Sequence, residues 1–219
     1  NLPALEVSAA SFYADTAPKD VAIGLDYDPS HARRAHRRTH LRMLRVANAA
    51  KALHRLPEAG ESVHVIMRGN YNSWDLVPAV LRLSEPATIA TLNICTLGFN
   101  QQNAEQLIAM LDDGQVARCT FICSHYYRSV EADVYDRLYA DMTSRGHQCL
   151  AMRCHAKLLL FEMTDGRHYV IESSANLRSC RNIEQFVLTH HRGLLEFHRG
   201  WMLEMFTKAG AQNHARPKA

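Results

Sequence analysis

The chain has 219 residues, 47% hydrophobic and 21% charged, which suits one compact domain, or one domain plus a short appended segment. Its longest apolar runs have the length of a buried strand, far short of the ~20 residues that cross a bilayer, so no membrane span is expected. Net charge is only +3, but residues 31–57 carry seven Arg, one Lys and no acid; that local +8 leaves −5 for the rest of the chain. No signal-peptide pattern is present, and Asn1 in place of Met leaves a processed leader open.

Six cysteines (Cys95, Cys119, Cys123, Cys149, Cys154 and Cys180) fall in or beside apolar runs and form no CxxC pair. They read as buried reduced thiols, which places the chain in a reducing compartment, the cytoplasm. The thirteen histidines are scattered, and neither a metal site nor a cofactor is implied.

In chain order, residues 1–30 contain Pro3, Pro18 and Pro29 and no long periodic pattern, so they read as an arm. Residues 31–56 have helical periodicity. Met43, Val46, Ala47, Ala50 and Leu53 share one face, and most arginines lie on the opposite arc. Like charges at i,i+4 destabilise a helix. Cations without an acidic partner therefore point to a polyanion, with Arg33, Arg34, Arg37, Arg38, Arg42 and Arg45 as nucleic-acid contacts. The bland alternative is a solvated helix face.

Alternation follows. Strands are expected over 62–69, 88–98 and 116–124, with helices over 73–83, 101–113 and 130–144. A strand-like stretch, 148–163, then leads to a turn at Asp165-Gly166 and returns through 167–173. A strand over 183–190 and a helix over 194–209 close the pass. This predicts an α/β fold, a mixed β-sheet sandwiched between helices. Residues 1–58 form an N-terminal arm and Arg-rich helix, and residues 59–219 the catalytic domain.

Asp-Gly between two apolar strands signals a two-residue hairpin loop. With Thr164 facing Arg167, Lys157 lies opposite Ser174 and His155 opposite Asn176. Residues two apart share a strand face, so His155, Lys157, Ser174 and Asn176 gather at one end. Lys, Asn and Ser can donate to phosphate oxygens, and a neutral imidazole can attack phosphorus. Glu184, at the start of the next strand, is the candidate carboxylate to orient that imidazole. Polar residues merely capping a hairpin end remain the alternative on spacing alone.

The pattern resembles the HKD motif of the phospholipase D superfamily: His155-Ala156-Lys157, then Glu162, then Ser173-Ser174-Ala175-Asn176, with Glu184 further on. Glu162 stands where that family has Asp, Ser173 where it commonly has Gly, and the spacer between them is longer. The resemblance covers roughly residues 60–210. It implies an α/β/α sandwich and a metal-independent phosphodiesterase acting through a phosphohistidine. No second His in the chain is followed two positions on by Lys. The small nuclease branch of the family pairs two single-motif chains, so the resemblance implies a homodimer with one composite site. There His155 of one subunit attacks and His155 of the other protonates the leaving oxygen. The basic helix favours nucleic acid over phospholipid as substrate, since its apolar face lacks the Trp or Phe of an interfacial anchor. A catalytically silent nucleic-acid-binding protein of the same fold is the alternative, and a phospholipid phosphodiesterase a further one.

Overall fold

The computed structural model describes residues 29–178 and 182–215, with side chains from 41 to 178 and from 182 to 209. The chain divides into Asn1–Thr39 and a compact unit, His40–Ala219. Seven strands form one sheet: β1 (Ser62–Met67), β2 (Ile89–Thr96), β3 (Cys119–Ser124), β4 (Gln148–Met152), β5 (Leu158–Met163), β6 (His168–Ser173) and β7 (Glu184–His190). Their order is β1-β7-β6-β5-β2-β3-β4. β2, β3 and β4 pair in parallel, and the remaining pairs are antiparallel. The helices are α1 (Pro29–Leu53), α2 (Leu76–Ser84), α3 (Gln101–Asp112), α4 (His125–Val130), α5 (Ala132–Ser144) and α6 (Arg192–Ala215), with a 3-10 turn at Ser73–Asp75 before α2.

Two apolar clusters flank the sheet, as the alternation of strands and helices implies. One joins Leu159, Phe161, Tyr169 and Ile171 to α1, α2, α3 and α5. The other joins Leu158, Leu160 and Val170 to Leu195 and Met202 of α6. Successive β5 residues thus enter opposite layers, and the continuously apolar run Leu158–Phe161 is buried on both faces. Each such side chain contributes about 1.5–3 kcal/mol of transfer free energy.

Three local expectations are corrected. The stretch 148–163 is two strands, because Arg153, His155 and Lys157 interrupt the apolar run. β4 ends beside β3 at the sheet edge, and the chain crosses to enter β5 on the far side of β2. A short helix, α4, follows β3 directly, capped by the Ser124 hydroxyl, which accepts from Tyr127 N at 2.9 Å. The hairpin loop has three residues, not two. Met163 pairs with Arg167, Gly166 takes φ +86°, and Thr164 N donates instead to Thr88 O at 2.9 Å. A left-handed Gly closing a type I turn is the usual three-residue solution. It shifts the register by one, so Leu158 faces Glu172 and Leu159 faces Ile171.

The stripe of α1 is also rotated from expectation. Ala49 and Leu53 are buried, with Val46 and Ala50 packed beside them, while Met43 is 63% exposed. Acids that follow the basic window neutralise two of its cations. Arg45 Nε meets Asp75 at 3.2 Å, and Arg55 makes a bidentate pair with Glu61. Asp75 is fully buried. Burial pushes its carboxyl above the ordinary range, while the Asn72 amide and Arg45 pull against that shift.

Arg45→Ala should lower stability at neutral pH by about 1–3 kcal/mol, because the carboxylate stays buried without its counter-charge. The Asp75 pKa rises further in the variant. A group whose folded-state pKa is raised loses its contribution as pH climbs through that value, so the deficit is largest near neutrality and shrinks in acid. Urea midpoints of both proteins between about pH 4 and pH 7 test this; a deficit independent of pH contradicts it.

Candidate active site

β1, β2, β3, β4 and β6 run in one direction, and β5 and β7 run in the other. One end of the sheet therefore collects five strand carboxyl ends and the amino ends of β5 and β7. His155 and Lys157 sit on the β4–β5 connection at that end. Ser173 ends β6 there, Ser174 and Asn176 follow it, and Glu184 begins β7. Open α/β sheets bind ligands outside the carboxyl ends of their parallel strands.

Lys157 Nζ lies 2.8 Å from His155 Nδ1. An ammonium can only donate, so Nδ1 accepts and the neutral ring carries its proton on Nε2. His155 is exposed and Lys157 half-buried. The shifted register puts Ser173, rather than Ser174, opposite Lys157: Ser173 N donates to Lys157 O at 3.1 Å. The Ser174 hydroxyl donates to Glu184 Oε2 and accepts from Gln185 N at 3.0 Å. The Ser173 hydroxyl donates to Gln185 O at 3.1 Å and accepts from Ala175 N at 3.0 Å. The Ser-Ser pair thus ties the end of β6 to the start of β7. Asn176 Oδ1 is buried and has no hydrogen-bond partner among the described residues.

The structure brings the five candidates to one sheet end, but two contacts differ from expectation. Glu184 receives the Ser174 hydroxyl, while the His155 imidazole meets Lys157. Glu162, in the motif-acid position, forms an ion pair with Arg199 of α6, with Nη1–O distances of 3.1 and 3.3 Å. That carboxylate anchors α6 to β5. Of the proposed nucleic-acid contacts, Arg42 is exposed and Arg45 is held by Asp75. Arg33, Arg34, Arg37 and Arg38 lie outside the residues whose side chains are described. Among the described residues no group of three or more His, Cys, Asp or Glu could hold a metal ion. No helix among them is long and apolar enough to cross a membrane.

Two features escaped the sequence reading. A cavity of about 290 Å³ opens beside His155, lined by Leu97, Ser124, His125, Tyr126, Arg153 and Cys154. Its contributors follow three different strands, so only the parallel order of β2, β3 and β4 brings them together. The sulfurs of Cys95 and Cys154 lie 3.2 Å apart. A hydrogen bond from Cys95 draws the Cys154 thiol below its ordinary pKa against burial, helped by the Ala156 amide and Lys157. The same contact and burial push Cys95 up.

No protein-family model matches the chain, and no curated protein matches it. Solved structures similar to it include TrmBL2, described as an archaeal chromatin protein with a novel mode of DNA binding, at 16% identity and TM-score 0.47; 81% of this chain and 62% of that one are covered. Nuc from Salmonella typhimurium, described as a phospholipase D family member, matches at 14% identity and TM-score 0.47, over 67% of this chain and 95% of that one. Phosphatidylserine synthase of Haemophilus influenzae Rd KW20 matches at 16% identity and TM-score 0.44, over 74% and 40%. The chain thus spans less than two thirds of the length of two of these three.

The thiols supply a chemical check on the local geometry. Among the five described cysteines, Cys154 should be alkylated first by a brief iodoacetamide pulse near neutral pH. The thiolate is the nucleophile, and burial raises the pKa of Cys119, Cys123 and Cys149. Peptide mass mapping reads the order; labelling of Cys119 or Cys123 ahead of Cys154 contradicts the Cys95–Cys154 contact.

Proposed function

We infer that the chain is a phosphodiesterase, a metal-independent nuclease whose nucleophile is His155. The observation that carries this reading is the 2.8 Å contact between His155 and Lys157 at a sheet end that also holds Ser174, Asn176 and Glu184. In the reaction, Lys157 leaves Nδ1 for the anionic oxygens of the substrate and the ring proton moves from Nε2 to Nδ1. His155 Nε2 then attacks phosphorus as the bond to the leaving oxygen breaks, giving a phosphohistidine. Water then displaces the imidazole. Lys157 and the Asn176 amide donate to the non-bridging oxygens, whose charge must be held throughout.

The leaving oxygen needs a proton donor, and the chain has one H-x-K. We assign that role to His155 of a second copy, in a homodimer that shares one composite site. Two-fold dimers are the commonest closed assembly. Glu184, reached through Ser174, is the carboxylate that would stabilise the imidazolium.

The substrate we assign is nucleic acid. Arg33, Arg34, Arg37, Arg38 and Arg42 would track backbone phosphates, an affinity that does not depend on sequence. Arg45 is left out of that set because Asp75 already neutralises it.

Cleavage of labelled oligonucleotides should persist in EDTA. His155→Ala should reduce kcat by roughly 10³-fold or more, as expected for loss of an essential nucleophile or acid. EDTA-sensitive activity that survives His155→Ala would sink the histidine mechanism. The dimer has a separate test: full activity from a species that sediments as a monomer at assay concentration rules out the composite site. Replacing Arg33, Arg34, Arg37 and Arg38 by Ala should weaken binding and flatten its salt dependence, by ~0.9 in log–log slope for each duplex phosphate no longer neutralised. An unchanged slope would remove the arginines from the interface.

A further inference from the structure

Apart from His155, the residues lining the cavity have no part in the phosphoryl chemistry. It lies where three connections converge: the β2–α3 loop gives Leu97, the β3–α4 junction gives Ser124, His125 and Tyr126, and the β4–β5 connection gives Arg153, Cys154 and His155. At about 290 Å³ it is an open depression, just below the ~300–1,000 Å³ of enclosed small-ligand pockets. Its walls are tied together. Ser124 Oγ donates to Leu97 O at 2.8 Å while capping α4. A Cβ on Gly98 would stand 2.8 Å from the Tyr127 ring, so the β2–α3 loop packs flat on α4.

Within this frame Tyr126 stands out. Tyr127 beside it is buried in the core against Phe99, whereas Tyr126 is 68% exposed. No described hydrogen bond uses its hydroxyl. Ile183 and Phe197 are as exposed, but Tyr126 is the exposed aromatic ring that lines the cavity. Arg153, also exposed, lies two residues before His155 on the same connection.

We propose that this cavity receives an unpaired nucleobase of the nucleotide next to the scissile phosphate, stacked on Tyr126, with Arg153 contacting the adjoining phosphate. The proposal rests on the phosphodiesterase reading of His155 and deepens it by naming the substrate as single-stranded or locally unstacked nucleic acid. A base within a duplex has both faces covered by its neighbours and cannot enter a concave pocket without leaving the stack. Stacking on an aromatic side chain is available to every base, because each has a π-face. Arginine suits the flanking phosphate because its planar fork donates two parallel hydrogen bonds.

The experiment uses the full chain and single-stranded oligonucleotides in EDTA, either intact or carrying one tetrahydrofuran abasic residue at each position around the cleaved linkage. For the wild type, kcat/KM should fall about 10-fold when the abasic residue occupies one position next to that linkage, the size of one base–aromatic stack. Tyr126→Ala should lose a similar factor on the intact strand and become indifferent to the abasic residue. Tyr126→Phe should stay within about twofold of wild type, since it keeps the stacking ring. An equal loss by Tyr126→Ala on intact and abasic strands, or no loss on the intact strand, overturns the proposal. If the wild type cleaves neither strand, the phosphodiesterase reading is what has failed. The same strand pairs measured by fluorescence anisotropy then decide the stacking: a wild-type preference for the base that Tyr126→Ala abolishes supports it, and equal Kd values overturn it.

Discussion

Strand β5 is enclosed on both faces and both edges, and the placement of the polar cluster follows from that enclosure. Leu158 and Leu160 point into the layer under α6, and Leu159 and Phe161 into the opposite layer. β2 and β6 take its two edges. A strand so held cannot slide, since a one-residue slip would exchange the layers for every side chain. The segment just before it inherits that rigidity. Lys157 is fixed through its carbonyl, which accepts Ser173 N, and His155 is two residues further out, where the chain has left the sheet.

Interactions around this strand divide the motif residues into those that hold and those that face solvent. Glu162 lies along β5 and is taken up by Arg199, so its carboxylate joins α6 to the sheet. A glutamate in that position is one methylene longer than aspartate, and a partner on a packed helix can absorb the added reach. Ser173 and Ser174 use their hydroxyls on Gln185, Ala175 and Glu184, closing the gap between β6 and β7. His155 and the Lys157 ammonium pair with each other, and no other described side chain takes up either of them. A phosphate brings acceptors for donors of this kind.

The fold was legible because its signals were periodic. The α/β alternation, the doubly buried β5 and the closing helix all follow from apolar spacing. The hairpin register was not legible, because Asp-Gly fits a two-residue loop and a three-residue loop equally well, and Thr88 decided between them by capturing Thr164 N. The arginine helix misled in part for a related reason. A window without acids says nothing about Asp75 and Glu61, which lie beyond it in sequence and meet Arg45 and Arg55 in space. The motif residues could be gathered from sequence, but their hydrogen bonds could not. The same two-atom choices, Ser174 to Glu184 and Lys157 to His155, depend on a register one residue removed from the simplest. The cavity needed the order β2-β3-β4, which no local pattern encodes.

The Lys157–His155 contact also constrains how the proposed chemistry can begin. With the ammonium donating to Nδ1, the neutral ring holds its proton on Nε2 and has no free lone pair there for attack. The leaving-group role is blocked as well, since an imidazolium carries protons on both nitrogens and cannot accept from Lys157. Either role requires Lys157 to leave Nδ1 and a proton to take its place; for the acid that proton is an added one, and for the nucleophile it is the one that leaves Nε2. An arriving phosphodiester supplies the cause, because its anionic oxygens are better acceptors for an ammonium than an imidazole nitrogen is. Nδ1, once released and protonated, then needs an anion, and Glu184 stands at the same sheet end, held through Ser174. Substrate charge would in this way convert a resting pair into an acid or a nucleophile, and each of two copies could respond identically until the scissile bond distinguishes them.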